Sequence, residues 1–331
     1  MSRLYPQKKK KKGRYLMNRK TKLVAASLLC ASVFSLCSFS AGALTDEIQP
    51  ITESASLSRS VTRSFERYEV SVSKVYNRNV GAYSPISLSH NGRRLSSDVR
   101  MINGSPYVSV RSFIGEISNM TVTYRSAART LNVRGSGFEM DVIDGGNVIY
   151  ANGRTLFSMS PSALMSNGSM YAPLQNIAKA LGLSYTYNAA QSTVYLSGGV
   201  KPIQHASTYY REDEVYWLSR IISAESRGES LLGQIAVGSV VMNRVRSSSY
   251  PNTIWGVIFD KKYGVQFSPI IDGSIYREPV ASATVAAKIC LEGINVNRNA
   301  LFFLYPRAST SSWIPNNRQY LFSIGKHDFY A

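Results

Sequence analysis

An internal repeat between residues 86 and 199 limits the folds open to this chain more than any other feature. Two stretches, residues 101–133 and 165–196, each contain an Asn-Gly pair inside a β-prone run, then a short helix-like segment, then two more β-prone runs. Asn-Gly pairs between such runs are typical of two-residue hairpin turns. Each stretch therefore predicts a hairpin, a short helix and a second hairpin, and the second helix is expected over residues 174–181, ended by Gly182.

The repeated pattern resembles the copper amine oxidase N-terminal-like domain, a small α+β module that often accompanies bacterial wall enzymes. The resemblance covers residues 86–199 and rests on Asn-Gly, an aromatic residue, an apolar residue and proline, followed by a helix that ends in Leu-Gly. It implies no copper, because His90 is the only histidine of this segment and the segment has no cysteine.

The N-terminal residues 1–43 are typical of an export signal. Basic residues precede the apolar run 23–36, and Ala41-Gly42-Ala43 supplies small residues for cleavage after Ala43. A permanent membrane anchor is the alternative, although the run is shorter than the ~20 residues that a membrane span needs. Met17 is an alternative start. The Ser/Thr-rich residues 44–85 are predicted to be a partly disordered spacer.

The net charge indicates a polyanionic partner. Residues 1–43 hold ten basic residues and no acidic one, so their removal lowers the formal net charge from +18 to +8. This excess suits a cell wall or a nucleic acid. No aromatic and basic motif of a nucleic-acid module accompanies it, so peptidoglycan is the preferred partner. We expect a secreted, monomeric protein that is associated with the cell wall or the spore cortex.

The composition becomes helical beyond a predicted linker at residues 200–212, and residues 213–331 are expected to form a second domain. Asp213 is expected to cap a helix that continues through Glu225. Further along, Cys290 lies in a helical-looking segment and is expected to be buried as a small apolar residue.

Glu225 is the anomaly of this helix. It lies seven residues from Leu218 and four from Ile221, so it projects from the apolar stripe. A carboxyl group in an apolar wall loses hydration, which raises its pKa towards the range that a general acid needs. The alternative is a structural ion pair with Arg220, Arg227 or Arg244.

Several separated motifs follow Glu225 in a fixed order. They are Ala224–Glu229, Gly233–Gly238, Val240–Val245, Pro251–Ile254, Gln266–Ser268 with Asp272-Gly273, and Ile324–Phe329. Together they resemble the SleB-type cell wall hydrolase family, whose members typically act on spore cortex during germination as lytic transglycosylases. The resemblance implies a mainly helical, lysozyme-like domain that cleaves the bond between N-acetylmuramic acid and N-acetylglucosamine. It assigns Glu225 as the catalytic acid, and it implies no cofactor and no metal. The fold class expected for the whole chain is α+β.

The remaining site residues are predicted to bind the substrate. The amide of Gln266 and the hydroxyl of Ser268 could hold acetamido groups while Phe267 packs between them, and structural turn residues are the alternative. Glu229, Asp272 and Tyr305 complete the predicted set. Tyr305-Pro306 stands where the family often has Asn-Pro.

Two alternatives to a glycosidase stay open. The first is a non-catalytic peptidoglycan-binding or scaffold protein. The second is a zinc N-acetylmuramoyl-L-alanine amidase, which needs histidine-rich metal ligands, whereas the second domain contains His327 alone.

Overall fold

The computed structural model describes residues 84–159, 163–262, 264–309 and 312–331, all of which fall within one compact unit. The predicted export signal, residues 1–43, and all but the last two residues of the predicted spacer lie outside these ranges. Within the described ranges, no helix has both the length and the apolar character needed to cross a membrane.

The first part of the described chain is a β-rich module with two short helices. Its elements, in chain order, are β1 (Ser84–Pro85), β2 (Ser87–His90), β3 (Arg93–Arg94), β4 (Val99–Ile102), β5 (Ser105–Ser109), α1 (Val110–Ile117), β6 (Thr121–Arg125), β7 (Thr130–Gly135), β8 (Phe138–Ile143), β9 (Val148–Ala151), β10 (Arg154–Phe157), β11 (Leu164–Ser166), β12 (Ser169–Pro173), α2 (Leu174–Ala180), β13 (Ser184–Asn188) and β14 (Thr193–Ser197). They form three sheets with the strand orders β1-β4-β5-β12-β11, β10-β9-β8-β7-β6 and β13-β14-β2-β3.

The predicted repeat is confirmed. Strands β4 to β7 with α1 form one hairpin-helix-hairpin unit, and β11 to β14 with α2 form the other. The units meet where β5 pairs antiparallel with β12, and α1 and α2 bury apolar faces in the same core. Asn103-Gly104 and Asn167-Gly168 occupy equivalent hairpin turns, and all four residues have positive φ, as this turn type requires.

The remainder of the chain is mainly helical and ends in a small sheet. Its elements are α3 (Ala206–Tyr209), α4 (Glu212–Ser226), α5 (Leu231–Arg246), α6 (Ile254–Ile258), α7 (Ala281–Leu291), β15 (Phe302–Leu304), α8 (Trp313–Asn317), β16 (Tyr320–Ile324) and β17 (His327–Tyr330), with 3-10 turns at Ser268–Ile270 and Ser274–Tyr276. The sheet order is β15-β17-β16. The expected α+β fold class, β-rich first and helical second, is confirmed.

Helices α4, α5 and α7 pack against one another and form the core of the helical part. Their close approach depends on Gly238 of α5, because a Cβ atom there would lie 2.7 Å from both Cys290 Sγ and Ile222 Cδ1. Cys290 is buried, as expected from the sequence.

The prediction that Asp213 caps α4 is wrong. The helix begins at Glu212 with Arg211 as its N-cap residue, and Asp213 lies in the first turn, where its carboxylate accepts two hydrogen bonds from the Arg211 guanidinium. Acidic residues in a first turn still stabilise the helix, because they face the positive end of its dipole.

A buried ionic cluster joins the β-rich and helical parts. Glu292, the C-cap residue of α7, accepts hydrogen bonds from the Arg154 guanidinium of β10 at 2.7 Å on each oxygen. It also accepts from Tyr210 Oη at 2.7 Å and from Lys179 Nζ at 3.0 Å. Val148 of β9 is buried in the helical core, so apolar packing accompanies these bonds.

Candidate active site

Helix α4 carries Glu225 in its last turn and holds it in a fixed position. Leu218, Ile221 and Ile222 of the same helix are fully buried against α5 and α7. The helix end is secured by Gln234, which is fully buried and donates a hydrogen bond from Nε2 to the Ser226 carbonyl oxygen at 3.3 Å. One of the carbonyls that every helix C-terminus leaves unbonded is thereby satisfied.

Glu225 lies at the edge of this core and is only partly exposed. Its pKa is raised to about 7, mainly by burial and also by the nearby negative charge of Asp272, whereas the positive charge of Arg244 acts in the opposite direction. Within the described part of the chain, Glu225 takes part in no ion pair. The three arginines considered as partners have other contacts: Arg220 with Glu278, Arg227 with the Glu278 carbonyl, and Arg244 with the Leu301 carbonyl.

Arg244 supplies a buried positive charge near the carboxyl group. Its Nε donates to the Leu301 carbonyl oxygen at 2.8 Å, and its Cζ lies 5.1–5.4 Å from the ring centroids of Tyr250, Phe267 and Phe302. Burial lowers the pKa of this arginine. Arg244 was one of the alternative salt-bridge partners of Glu225 in the sequence, whereas its surroundings in the structure are mainly aromatic rings.

Asp272 is an exposed carboxylate close enough to Glu225 to influence its titration. Hydrogen bonding to the side chain of Ser274, together with the bond that its Oδ1 accepts from the backbone N–H of Ser274 at 2.8 Å, lowers the pKa of Asp272. The site therefore pairs an ionised carboxylate with a carboxyl group that is still partly protonated near neutral pH. Such a difference between two acids is the arrangement that glycosidases use.

The segment Gln266–Ser268 lies beside Arg244. Phe267 is buried, with its ring centroid 6.4 Å from that of Phe303, so it packs as expected. Gln266 is partly exposed and its amide donates to the Gly264 carbonyl oxygen at 3.0 Å, while Ser268 is exposed at the start of a 3-10 turn.

The side chain of Glu229 is buried, with 7% of its surface exposed, and it lies beneath the turn between β16 and β17. Its Oε2 accepts from the backbone N–H of Lys326 at 3.2 Å, and its Oε1 lies 4.0 Å from His327 Nδ1. A Cβ atom at Gly325 would overlap the Glu229 carboxylate. These contacts give Glu229 a supporting position for the hairpin. Tyr305, partly exposed, lies on the other side of His327 with the ring centroids 6.3 Å apart.

Two family models match segments of this chain. Residues 228–330 match the family described as Cell Wall Hydrolase, and residues 90–196 match the Copper amine oxidase N-terminal domain. The chain thus carries a cell wall hydrolase domain at its C-terminal end, preceded by a copper amine oxidase N-terminal domain, and both predicted resemblances are confirmed. The first match begins at Gly228 and does not include Glu225.

Curated relatives are spore cortex-lytic enzymes. The chain is 38% identical over 141 residues to the enzyme of Bacillus cereus, covering 40% of this chain and 53% of that protein. It is 34% identical over 131 residues to the enzyme of Oceanobacillus iheyensis, covering 40% and 46%, and 33% identical over 120 residues to that of Bacillus subtilis, covering 36% and 38%. The chain thus spans about half the length, or less, of these relatives.

Two solved structures are similar over the same region. One is the catalytic domain of the germination-specific lytic transglycosylase SleB from Bacillus anthracis, at 38% identity and a TM-score of 0.34, covering 37% of this chain and 97% of that one. The other is the catalytic domain of the Bacillus cereus SleB protein, at 38% identity and a TM-score of 0.33, covering 37% and 92%.

Proposed function

We propose that this protein is a peptidoglycan-degrading glycosidase that cleaves the bond between N-acetylmuramic acid and N-acetylglucosamine, with Glu225 as its catalytic acid. The observation that carries the proposal is the pKa of Glu225, raised to about 7 mainly by burial, on a carboxyl group that projects from the end of a buried helix. A proton donor for a glycosidic oxygen needs a pKa near the working pH. The cell wall hydrolase match and the cortex-lytic relatives support the same activity.

The proposed mechanism uses one acid in two roles. Protonated Glu225 donates its proton to the glycosidic oxygen, and the bond between that oxygen and C1 of the muramic acid breaks. The resulting carboxylate then removes the proton of the 6-hydroxyl group, whose oxygen closes on C1. The products are a 1,6-anhydromuramic acid end and a free N-acetylglucosamine hydroxyl, and no water is consumed. This outcome is that of a lytic transglycosylase.

The electrostatic surroundings suit both halves of this cycle. The ionised Asp272 favours protonated Glu225 before donation, and the positive charge of Arg244 favours its carboxylate afterwards. The side chains at least partly exposed near these groups, Gln266, Ser268 and Asp272, together with Tyr305, are the proposed contacts to the sugars. Phe267 and Glu229 are proposed to support them from beneath.

A hydrolytic outcome is the second candidate, and the position of Asp272 favours it. Glycosidases that use water need a second carboxylate, roughly 5–5.5 Å from the acid for retention or 6.5–9.5 Å for inversion. Asp272 is the carboxylate whose charge reaches Glu225 most strongly. In that reaction Asp272 would act on water or on C1, and the product would carry a reducing end.

The biological setting follows from this proposal. A secreted protein with the predicted domain layout, namely signal 1–43, spacer 44–85, β-rich domain 86–199, linker 200–212 and hydrolase domain 213–331, would reach peptidoglycan outside the cytoplasm. Spore cortex is the proposed substrate, since the curated relatives are named for lysis of cortex. Vegetative wall is the alternative.

Product analysis tests the proposal. Purified residues 44–331 and a Glu225→Gln variant are incubated with cortex and with vegetative peptidoglycan, and the soluble products are identified by mass spectrometry. Anhydro-muropeptides from the wild type alone are expected. Reducing-end products would indicate the hydrolytic candidate, and the absence of products from both proteins would favour a binding protein over an enzyme.

A further inference from the structure

A continuous row of five aromatic rings crosses the surface of the helical part. Its members belong to α4, α6 with the following residue, and the second 3-10 turn: Tyr216, Trp217, Trp255, Phe259 and Tyr276. The ring of Trp217 is central. Its centroid lies 4.9 Å from that of Tyr216, 5.1 Å from that of Phe259 and 6.4 Å from that of Tyr276. Trp255 extends the row, with its centroid 5.1 Å from that of Phe259.

Three of these rings are exposed to solvent to an unusual degree. The exposed fractions are 45% for Tyr216, 56% for Trp255 and 61% for Tyr276. Single exposed apolar residues are ordinary, whereas a contiguous group of large apolar side chains marks an interaction surface. The exposed faces of Tyr216, Trp255 and Tyr276 do not contribute to the helical core, so the row has the character of a binding surface.

A buried arginine holds the row in place. Arg220 lies beneath it, with Cζ 4.3 Å from the centroid of Tyr216, and its Nη1 donates to the Tyr276 carbonyl oxygen at 3.1 Å. Its Nη2 donates to Glu278 at 2.8 Å. Burying a guanidinium group is costly unless it is well paired. Here that group contacts two exposed members of the row, Tyr216 and Tyr276, on either side of Trp217, which indicates a preorganised ligand site.

The row shares a helix and a loop with the two carboxylates of the candidate active site. Trp217 precedes Glu225 by eight positions on α4, which corresponds to about 12 Å along the helix. Tyr276 follows Asp272 by four positions in the same loop. A polymer several sugars long, with its cleaved bond at Glu225, would be long enough to reach these rings.

We propose that the five rings form a platform for the uncleaved part of a peptidoglycan glycan strand, beyond the sugars held at Glu225. This proposal rests on the proposed function for the identity of the ligand. Pyranose rings present flat apolar faces that match exposed indole and phenol rings. Lys261, Lys262 and Arg277 are exposed and follow Phe259 or Tyr276 within three positions of the chain, and their charges complement the carboxylates of the peptide stems.

A sedimentation assay with insoluble sacculi tests the platform. The parent protein carries Glu225→Gln so that the ligand is not consumed, and the test variant adds Trp255→Ala with Tyr276→Ala. We expect about tenfold weaker binding to purified sacculi in the double-alanine variant. Tyr195→Ala removes a ring that is 42% exposed on β14 of the β-rich part, and it is the matched control expected to bind like the parent. Since either exposed ring could be replaced separately, Trp255→Ala alone provides a second variant with less risk to folding.

The outcomes separate this proposal from the proposed function. Equal binding by the parent and the double-alanine variant would overturn the platform, and so would an equal loss in the Tyr195→Ala control. Self-association of the parent that disappears in the double-alanine variant would instead assign the surface to a second copy of the chain. Product release by the wild-type enzyme is measured independently. Ring-dependent binding without products would leave the platform standing while the enzymatic proposal failed.

Discussion

Two glutamates lie at the C-terminal ends of helices in different regions of the molecule. One lies where the β-rich and helical parts meet, and the other lies in the candidate active site. Glu292 caps α7 and Glu225 lies in the last turn of α4, and the negative end of a helix dipole disfavours ionisation of both. Burial also acts on both in the same direction. Nevertheless, hydrogen bonds from Arg154, Tyr210 and Lys179 hold the pKa of Glu292 below its usual value, whereas the pKa of Glu225 is raised to about 7.

Hydrogen-bond and ion-pair partners, rather than burial, decide whether each of these carboxyl groups is ionised. The side chain of Glu292 is only 1% exposed, yet two cations and a phenol satisfy it, so it is ionised and structural. Glu225 has no ion-pair partner among the described residues, and its proton is therefore available for chemistry. A carboxyl group that its partners hold ionised and a carboxyl group that is proposed to act as an acid thus lie within one compact unit.

The largest expected effect is on activity and concerns Glu225. Glu225→Gln removes the proton donor, and we expect roughly a 10³-fold loss of product release, within the range usual for general acid catalysis. The measurement is the initial rate of soluble muropeptide release. Glu212→Gln, an exposed change in the first turn of the same helix, serves as the control and should leave the rate unchanged. A Glu225→Gln variant with normal rates would remove Glu225 from the mechanism.

The second effect is on stability and concerns Glu292. Glu292→Gln leaves Arg154 and Lys179 without a counter-charge, and we expect the free energy of unfolding to fall by about 3–5 kcal/mol. Urea denaturation monitors the change. The matched control is Glu139→Gln, because Glu139 pairs with Arg134 in a bridge whose side chains are 55% and 62% exposed, so it should cost less than about 1 kcal/mol. A similar loss in both variants would show that burial of the cluster is unimportant.

The third effect concerns stability and pH, and the two glutamates should respond with opposite signs. Because the pKa of Glu225 is raised in the folded state, wild-type stability should fall as the pH rises from about 4.5 to about 7. Glu225→Gln should therefore stabilise the protein at pH 8 by about 1–2 kcal/mol, after allowance for solvent screening. The lowered pKa of Glu292 instead contributes stability that is lost as the pH falls through that value. Thermal unfolding of both variants is measured between pH 3 and pH 8. If the stability change caused by each substitution depended on pH with the same sign in both variants, the opposite pKa shifts of the two glutamates would be contradicted.

The smallest effect tunes the acid without removing it. Asp272→Asn deletes a negative charge that raises the pKa of Glu225, so the alkaline limb of the rate profile should move to lower pH by a few tenths of a unit. The rate of muropeptide release is measured from pH 5 to pH 9. A complete loss of activity in Asp272→Asn, together with reducing-end products from the wild type, would instead identify Asp272 as a second catalytic carboxylate.

Local patterns in the sequence predicted most of the fold. The Asn-Gly turns and the apolar runs are short-range signals, and they located the repeat and the helix Leu174–Ala180, with Gly182 following at a φ of +69°. The apolar spacing of α4 likewise predicted the withdrawn position of Glu225, although its catalytic role stays a prediction. Asp213 was wrongly predicted as the helix cap: its carboxylate binds the guanidinium of Arg211, two positions earlier, and does not cap the helix.

Contacts between distant residues were not predictable in the same way. Arg154 and Glu292 are 138 positions apart, and no periodicity links a strand of one module with a helix end of the other. The buried position of Glu229 was missed because it depends on the β16–β17 hairpin, which forms far along the chain. The aromatic environment of Arg244 likewise arises from three separate segments. In each case tertiary packing, rather than local propensity, decides the environment of the side chain.

The close packing at Gly238 gives the helical core a built-in chemical reporter. The Cys290 thiol of α7 is buried against α5, and burial raises its pKa to about 12, so the reactive thiolate is almost absent in the folded protein. The other cysteines of the sequence, Cys30 and Cys37, precede the predicted cleavage site. Alkylation kinetics of the processed protein would therefore record how often these helices separate, at one atom and without an introduced label.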